Sequence, residues 1–471
     1  MMRKLHFWAK TTADGQPGIS VGEHMRNVGH VAQLLAELSP FLCNHLGLPP
    51  KTIATLAALH DLGKISPGFQ QKCPAWLEHF GLKAIVNTPT ETDHGRVTHA
   101  VLQPIFMALG MKRGPAKYLA AILGAHHGHI NDLPNDRGIS CVTSESGSGI
   151  DWDAVRQQAV RDIVAHFDVA PELASFSISD AALWWLAGLT SVADWIGSNE
   201  QFFPSENTLH QPKEVSANKA LHDIGFHPPF LKSGLEFEAI FPFSPNELQR
   251  QTARFITSPG VYIIEAPMGL GKTEAALWAA YRLLNTGQAT GLYFALPTQA
   301  TSNRIHLRMN EFIAKITDKT ATTKLIHGNS WLMEETTIPQ VRATTPQSQA
   351  DQDARASRDW FASTKRALLA PFGVGTVDQC LLGVVAAKHF FVRHFALAGK
   401  VVILDEIHSY DLYTGTLIKK LIEVLENLGC TIIILSATLT AQRKAELLEI
   451  VDDFLPEAMD PAQVPYPQIS G

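Results

Sequence analysis

Val261-Tyr-Ile-Ile-Glu-Ala-Pro-Met-Gly-Leu-Gly-Lys-Thr273 is an apolar, β-branched run that passes into a glycine-rich turn and then into the helix-patterned stretch Glu274–Leu284. Strand, then Ala-x-x-x-x-Gly-Lys-Thr, then helix is the setting a phosphate-binding loop requires. Gly269 and Gly271 let backbone N–H groups approach phosphate, Lys272 reaches toward the β- and γ-phosphates, and Thr273 ligands Mg²⁺. The first glycine of the strict pattern is replaced by Ala266. The reading expects ATP with Mg²⁺ as cofactor.

The surrounding sequence agrees. After about residue 240, short apolar runs alternate with helical stretches: Gly291–Leu296, Lys324–Ile326, Val401–Leu404 and Thr431–Leu435. The alternation predicts a mostly parallel sheet wrapped by helices. Val401-Val-Ile-Leu-Asp-Glu-Ile-His408 ends a buried strand in an acidic pair, so Asp405 is expected to hold Mg²⁺ through water and Glu406 to orient and deprotonate the attacking water. Upstream, Ser244 and Glu247 have capping-box spacing with Pro245 at the first helical position. A helix starting there offers Gln249 to an adenine edge, with Phe241 or Phe243 stacked on the ring. The polar segment Met333–Ser357 predicts a surface insertion.

From residue 20 to about 200 the texture is different. Glu23–Leu38, Lys51–Leu59, Arg96–Leu109, Pro115–His127 and Asp180–Gly197 carry apolar residues at three- and four-residue spacing, and strand signals are scarce. The fold class is therefore multidomain: an all-α domain over residues 1–215, a linker at 216–243 within a proline-marked stretch, and an α/β domain over 244–471. Of the 20 histidines, His24, His60, His94, His99, His126 and His127 fall in the helical half, with Asp61 and Asp194. A single histidine on an apolar helix is ordinarily a core residue. Here His60-Asp61 and His126-His127 each end a helix, where side chains from separate helices converge on one cavity. Imidazole with carboxylate suits Mn, Fe, Ni, Co or Zn, and a shared Asp can bridge two metals as in-line phosphoryl chemistry uses them.

Composition sets the outer limits. At 471 residues the chain exceeds one ordinary core. Its net charge of −6 does not mark a globally basic protein, so nucleic acid must be held by local grooves and backbone amides. Five scattered cysteines, with no Cys-x-x-Cys, exclude a disulfide framework and a thiolate zinc site. No apolar run approaches a membrane span and residues 1–10 do not read as a signal peptide, so a cytoplasmic location without a membrane partner is expected.

Together, the phosphate loop, the Asp-Glu-Ile-His box, Ser436-Ala-Thr438, Ala295-Leu-Pro-Thr-Gln-Ala-Thr-Ser302 and Gly375-Thr-Val-Asp-Gln379 resemble the first RecA-like domain of superfamily-two helicases. In that family such segments touch a single strand's backbone, a role the resemblance carries to Thr298, Gln299, Arg304, Thr376 and Gln379. Phe7-Trp-Ala-Lys10, His60-Asp-Leu-Gly-Lys64, Asp93-His-Gly95, Ala125-His-His-Gly128 and Ala193-Asp-Trp195 resemble the HD nuclease of the CRISPR-associated type I nuclease-helicases. The likeness spans nearly the whole chain.

The resemblance implies two divalent transition metals (Mn, Ni, Co or Fe), one held by His24, His60, Asp61 and Asp194, the other by Asp61, His94, His126 and His127. Lys64 would neutralise charge developing on phosphate oxygens, with His94 preferred over His99 as ligand. It also implies endo- and exonucleolytic degradation of single-stranded DNA, coupled to an ATP-dependent 3′–5′ helicase in CRISPR antiviral defence. The partner implied is a type I interference, Cascade-like, complex. No Gln-x-x-Gly-Arg-x-x-Arg segment of a second RecA-like domain occurs. The expectation is thus a fragment with an incomplete motor, either an expressed piece or the product of a truncated or split gene, in which last case a separate chain would carry the second RecA-like domain. The alternative function is an HD phosphohydrolase of nucleotides or cyclic nucleotides with a P-loop sensor domain.

Overall fold

The computed structural model describes residues 6–12, 14–82, 88–130, 139, 142–145, 147–169, 177–204, 213–226, 230–297, 302–317, 367–385, 387–406, 412–437, 439, 444, 447 and 467–471. These form two compact units, Met1–Leu221 and His222–Gly471. The expected surface insertion at 333–357 and the strand at 324–326 lie outside the described residues.

In its described residues the first unit is helical: α1 (Val21–Glu37), α2 (Pro40–Leu46), α3 (Pro50–Ala58), α4 (Pro67–Gln70), α5 (Pro74–His79), α6 (His94–Ala108), α7 (Arg113–Gly124), α8 (Trp152–Phe167), α9 (Asp180–Gly197) and α10 (Lys213–Ile224). The five helices expected from periodicity all form, within a few residues. Helix α1 opens on a capping box: Ser20 Oγ accepts from Glu23 N–H, while the Glu23 carboxylate accepts from Ser20 N–H. It packs between α3 and α9. Its inward face of Val21, Met25, Val28, Val31 and Ala32 is fully buried, which supplies most of its stability in a helix of this length. Helix α3 tightens at its end into a 3₁₀ turn, Leu59–Lys64, rather than continuing as an α-helix.

The second unit holds a six-stranded sheet in the order β3-β2-β4-β5-β1-β6. Strands β1 (Val261–Glu265), β2 (Leu292–Leu296), β3 (Phe372–Thr376), β4 (Val401–Asp405) and β5 (Thr431–Ser436) are parallel, and β6 (Gln468–Ser470) runs antiparallel to β1 at one edge. Strands β2, β4 and β5 are almost wholly apolar and buried, as sheets covered on both faces require.

Three expectations need correction here. The expected alternation of strands lacks β3, on whose end the contact segment Gly375–Gln379 begins, and the edge strand β6. The stretch expected to be a linker holds most of α10 together with α11 (Phe237–Ile240), and Phe237, Ile240 and Phe241 belong to the second unit's apolar core. The helix after it, α12 (Glu247–Phe255), is capped by Asn246 and not by Ser244. Asn246 Oδ1 accepts from Gln249 N–H at 3.0 Å, and Gln249 Oε1 accepts from Asn246 N–H at 2.9 Å.

Candidate functional site

In the first unit the local chain geometry aims each histidine. His60 and His126 lie just past helix ends, where the carbonyl three residues back is left over by the helical ladder. His60 Nδ1 lies 2.9 Å from Ala57 O and His126 Nδ1 3.0 Å from Leu123 O. A carbonyl can only accept, so each Nδ1 carries a proton and each Nε2 is the nitrogen left to face a cation. Helix α6 then brings in His94 from its first turn, α1 brings His24, and α9 brings Asp194.

Two close crossings hold these elements together. Gly63 leaves room for the His94 carbonyl, which a Cβ there would meet at 2.2 Å. Beside it Thr98 Oγ1 donates to His60 O at 2.8 Å and accepts from Gly63 N–H at 2.9 Å, clasping the 3₁₀ turn to α6. Helices α6 and α7 meet at Gly95 and Gly124, where a Cβ on either would strike the other's carbonyl at 2.2–2.3 Å. This contact sets His94 against His126 and His127, whose Nε2 atoms stand 3.4 and 2.9 Å from His94 Nε2.

Asp61 lies at the centre, about 1% exposed. Its two oxygens divide the histidines. Oδ2 faces His24 Nε2 at 3.1 Å and His60 Nε2 at 3.5 Å, and both imidazoles also face Asp194 Oδ1, at 3.3 and 3.5 Å. Oδ1 faces His94 Nε2 at 3.2 Å and His126 Nε2 at 3.5 Å. Lys64 Nζ sits 2.6 Å from Oδ2. Burial alone would raise the Asp61 carboxyl, but Lys64, His60, His24 and His94 outweigh it and hold the group well below the usual carboxylate range. Burial and the neighbouring His60 push the His126 imidazole well down, and burial and His94 lower His127, keeping both neutral.

The donor set fits a pair of cations. His24 Nε2, His60 Nε2 and Asp61 Oδ1 are buried without a hydrogen bond, a cost of several kcal/mol if nothing else bound them. Donor atoms of three overlapping triads, His24/His60/Asp194, His60/Asp61/His126 and His94/His126/His127, lie within 4.8 Å of one another. Every expected metal residue is thus brought together; His99 belongs to none of the triads. Thr98 and the three glycines that assemble the cluster were not singled out from the sequence, which carries no local sign of a helix crossing.

In the second unit the loop after β1 turns through Gly269 (φ +83°) and Gly271 (φ +80°), left-handed values that favour glycine. Lys272 opens α13 (Lys272–Asn285), its Nζ donating to Ala266 O at 2.5 Å, with Thr273 beside it in the first turn. Asp405 ends β4 and Glu406 follows in a left-handed conformation, φ +55°. Burial, then the adjacent Glu406 charge, raises the Asp405 carboxyl to about 6 against the pull of Lys272, a charge balance that a divalent cation would relieve. Gln249 is 1% exposed, and its Nε2 lies 3.3 Å from Gly271 O, which can only accept. Asn246 Nδ2 donates to Leu270 O at 2.9 Å. The α12 cap therefore braces the phosphate loop. Phe241 is a core residue, and the 45%-exposed Phe243 stacks against it with ring centroids 6.1 Å apart. Thr376 ends β3, and Gln379 lies in the short helix Val377–Leu381 that follows it. Thr298, Gln299, Thr438 and the Arg304 side chain are outside the described residues.

A family model for the Cas3 HD domain matches residues 8–203, and one for the DEAD/DEAH box helicases matches residues 246–447. The CRISPR-associated endonuclease/helicase Cas3 of Thermus thermophilus is 33% identical over 99% of this chain and 52% of its own length. The crystal structure of T. fusca Cas3 with ATP superposes with a TM-score of 0.77 at 27% identity, covering 94% of this chain and 51% of that one. A chain of a CRISPR RNA-guided surveillance complex, pre-nicking, superposes with a TM-score of 0.66 at 25% identity, over 94% of this chain and 49% of that one. The chain spans about half the length of the curated relatives it matches. With both family models in order along one polypeptide, the chain carries a Cas3-type HD domain followed by a DEAD/DEAH box helicase domain, and its likeness to Cas3 proteins runs through nearly all of it.

Proposed function

We propose that the first unit is a two-metal nuclease that hydrolyses single-stranded DNA, and that the second binds ATP with Mg²⁺ as part of a 3′–5′ motor acting with a type I CRISPR surveillance complex. The observation that carries the nuclease reading is the split of Asp61, one oxygen to His24 and His60, the other to His94 and His126. A carboxylate so placed serves as a bridge. His24, His60 and Asp194 would complete one ion's ligands, and His94, His126 and His127 the other's; imidazole-rich sets favour Mn, Fe, Co or Ni over Mg. Bound there, the ions would supply Lewis acidity toward a phosphate oxygen and a lowered pKa for water.

The chain's own residues do the rest. The Ala57 and Leu123 carbonyls fix the His60 and His126 tautomers. Ser198 Oγ, donating to Asp194 Oδ1 at 2.9 Å, fixes that carboxylate. Lys64, whose Nζ lies 2.6 Å from Asp61 Oδ2, is the cation placed at the edge of the cluster to meet phosphate oxygens. On the nucleotide side Lys272 and the loop amides would hold the phosphates, Thr273 and Asp405 the Mg²⁺, and Glu406 the attacking water. The likeness to a surveillance-complex chain supports the partner. The fused Cas3 HD and helicase domains support DNA over free nucleotides as substrate.

The test is circular single-stranded DNA incubated with Mn²⁺, Co²⁺ or Ni²⁺, for wild type and Asp61→Ala. Cleavage and metal content should both vanish in the variant. Intact circles alongside turnover of nucleotides would replace the nuclease reading with a nucleotide phosphohydrolase.

A further inference from the structure

His24 differs from His60 and His126 in what lies behind its ring. His60 and His126 give their Nδ1 protons to carbonyls left over at helix ends. His24 is the fourth residue of α1, well inside the hydrogen-bonded helix. The carbonyl three residues back, that of Val21, is committed to the helical ladder. His24 Nδ1 is buried and has no partner. If Nδ1 loses its proton for want of an acceptor, the proton moves to Nε2 and blocks the atom that faces Asp61 and Asp194.

One turn further along the same helix lies Asn27, 0% exposed, with both Oδ1 and Nδ2 unpaired. Residues three apart share a helix face, so the two unmet needs lie side by side. A fully buried amide with neither atom bonded costs several kcal/mol, too much to leave unmet in a packed helix interface. Placing a water between them satisfies both residues, since buried waters typically make about three hydrogen bonds: one accepted from His24 Nδ1–H, one donated to Asn27 Oδ1, one accepted from Asn27 Nδ2.

We propose that Asn27 is a positioning residue for the metal centre, accepting the His24 Nδ1 proton through one buried water and so presenting a bare Nε2 to the ion shared with His60 and Asp194. The proposal rests on the two-metal reading of the cluster. It gives α1 the orienting partner that α3 and α7 obtain from their own backbones.

The experiment adds Co²⁺ to metal-free protein and reads visible d–d absorption and stoichiometry, for wild type, Asn27→Leu, Asn27→Asp and Asp61→Ala. Wild type should bind two ions per chain. Asn27→Leu should weaken one of the two by 10–100-fold, the scale of lost outer-shell partners, with its d–d band shifted and the other ion unaffected. Asn27→Asp, which keeps an acceptor at the same reach, should restore the affinity. If Asn27→Leu fails to fold, Asn27→Ala takes its place and should show the same selective loss. Wild-type affinity for both ions in either folded variant overturns the role of Asn27, while Asp61→Ala still losing metal leaves the two-metal reading standing. Two ions retained by Asp61→Ala overturns both.

Discussion

Replacing Gly124 by Ala sets two effects of known size against each other. Gly124 is the last residue of α7, and alanine there should gain up to about 1 kcal/mol from helix propensity alone. The new Cβ, however, meets the Gly95 carbonyl at 2.3 Å, whereas ordinary contact begins near 3.4 Å. The obstacle is helix backbone, so α6 and α7 must part by about an ångström. Overpacking of this kind costs about 1–3 kcal/mol, and net destabilisation of the metal-free protein by about 1–2 kcal/mol is the expected result. Parting the helices also separates His94 from His126 and His127, and a metal site tolerates only about 0.5 Å of misplacement. Urea denaturation with and without Mn²⁺ reads both consequences. Wild type should gain about 2.7 kcal/mol for each ion bound at a hundredfold excess of metal over its dissociation constant, and Gly124→Ala should gain markedly less at the same concentration. A variant that loses stability but keeps the full increment from metal would refute the claim that this crossing sets the histidine spacing; a more stable variant would refute the clash itself.

Two further outcomes follow from buried or strained groups. Lys400 is fully buried, its Nζ donating to Leu368 O and Ala370 O at 2.9 and 2.7 Å, and burial lowers its pKa to about 7. In the unfolded chain the amine stays protonated to about pH 10.4, so between pH 7 and that value the unfolded state holds the extra proton and stability rises with pH; below pH 7 both states are protonated and the contribution is flat. Lys400→Met should therefore flatten the stability profile by about 2–3 kcal/mol between pH 7 and 9, and an unchanged slope in urea melts would count against a neutral buried amine. Lys272→Ala should abolish ATP binding measured by calorimetry while leaving metal uptake by the first unit intact, and loss of both would deny the two units their separate sites.

How much of this was legible in the sequence depended on whether the signal was local. The phosphate loop, the acidic pair after β4, and the doublets His60-Asp61 and His126-His127 are short motifs whose meaning travels with their neighbours, and all stand where expected. Strand β3 was hidden because it reads Phe-Gly-Val-Gly-Thr. Its glycines make room for the Tyr293 side chain, whose ring a Cβ on Gly373 would meet at 2.9 Å and whose hydroxyl a Cβ on Gly375 would meet at 2.1 Å, a tertiary reason that looks like a turn in one dimension. The cap of α12 was misplaced for a similar cause. Ser244/Glu247 and Asn246/Gln249 both have capping-box spacing, and what favours Asn246 is its reach to the Leu270 carbonyl on the phosphate loop. Asn27 reads along the chain as one more polar residue beside Arg26; only its burial on the face of His24 gives it meaning.

The clasp that Thr98 places on the 3₁₀ turn acts from outside the ring of donors. It joins backbone to side chain and uses none of the donor atoms, so it forms with the fold itself. Ordering entropy is therefore spent during folding and not at loading, so an incoming cation meets a rigid cup. Swapping one divalent ion for another should leave the surrounding chain unmoved, and differences in turnover between metals then report the chemistry of the ion and not a rearranged protein.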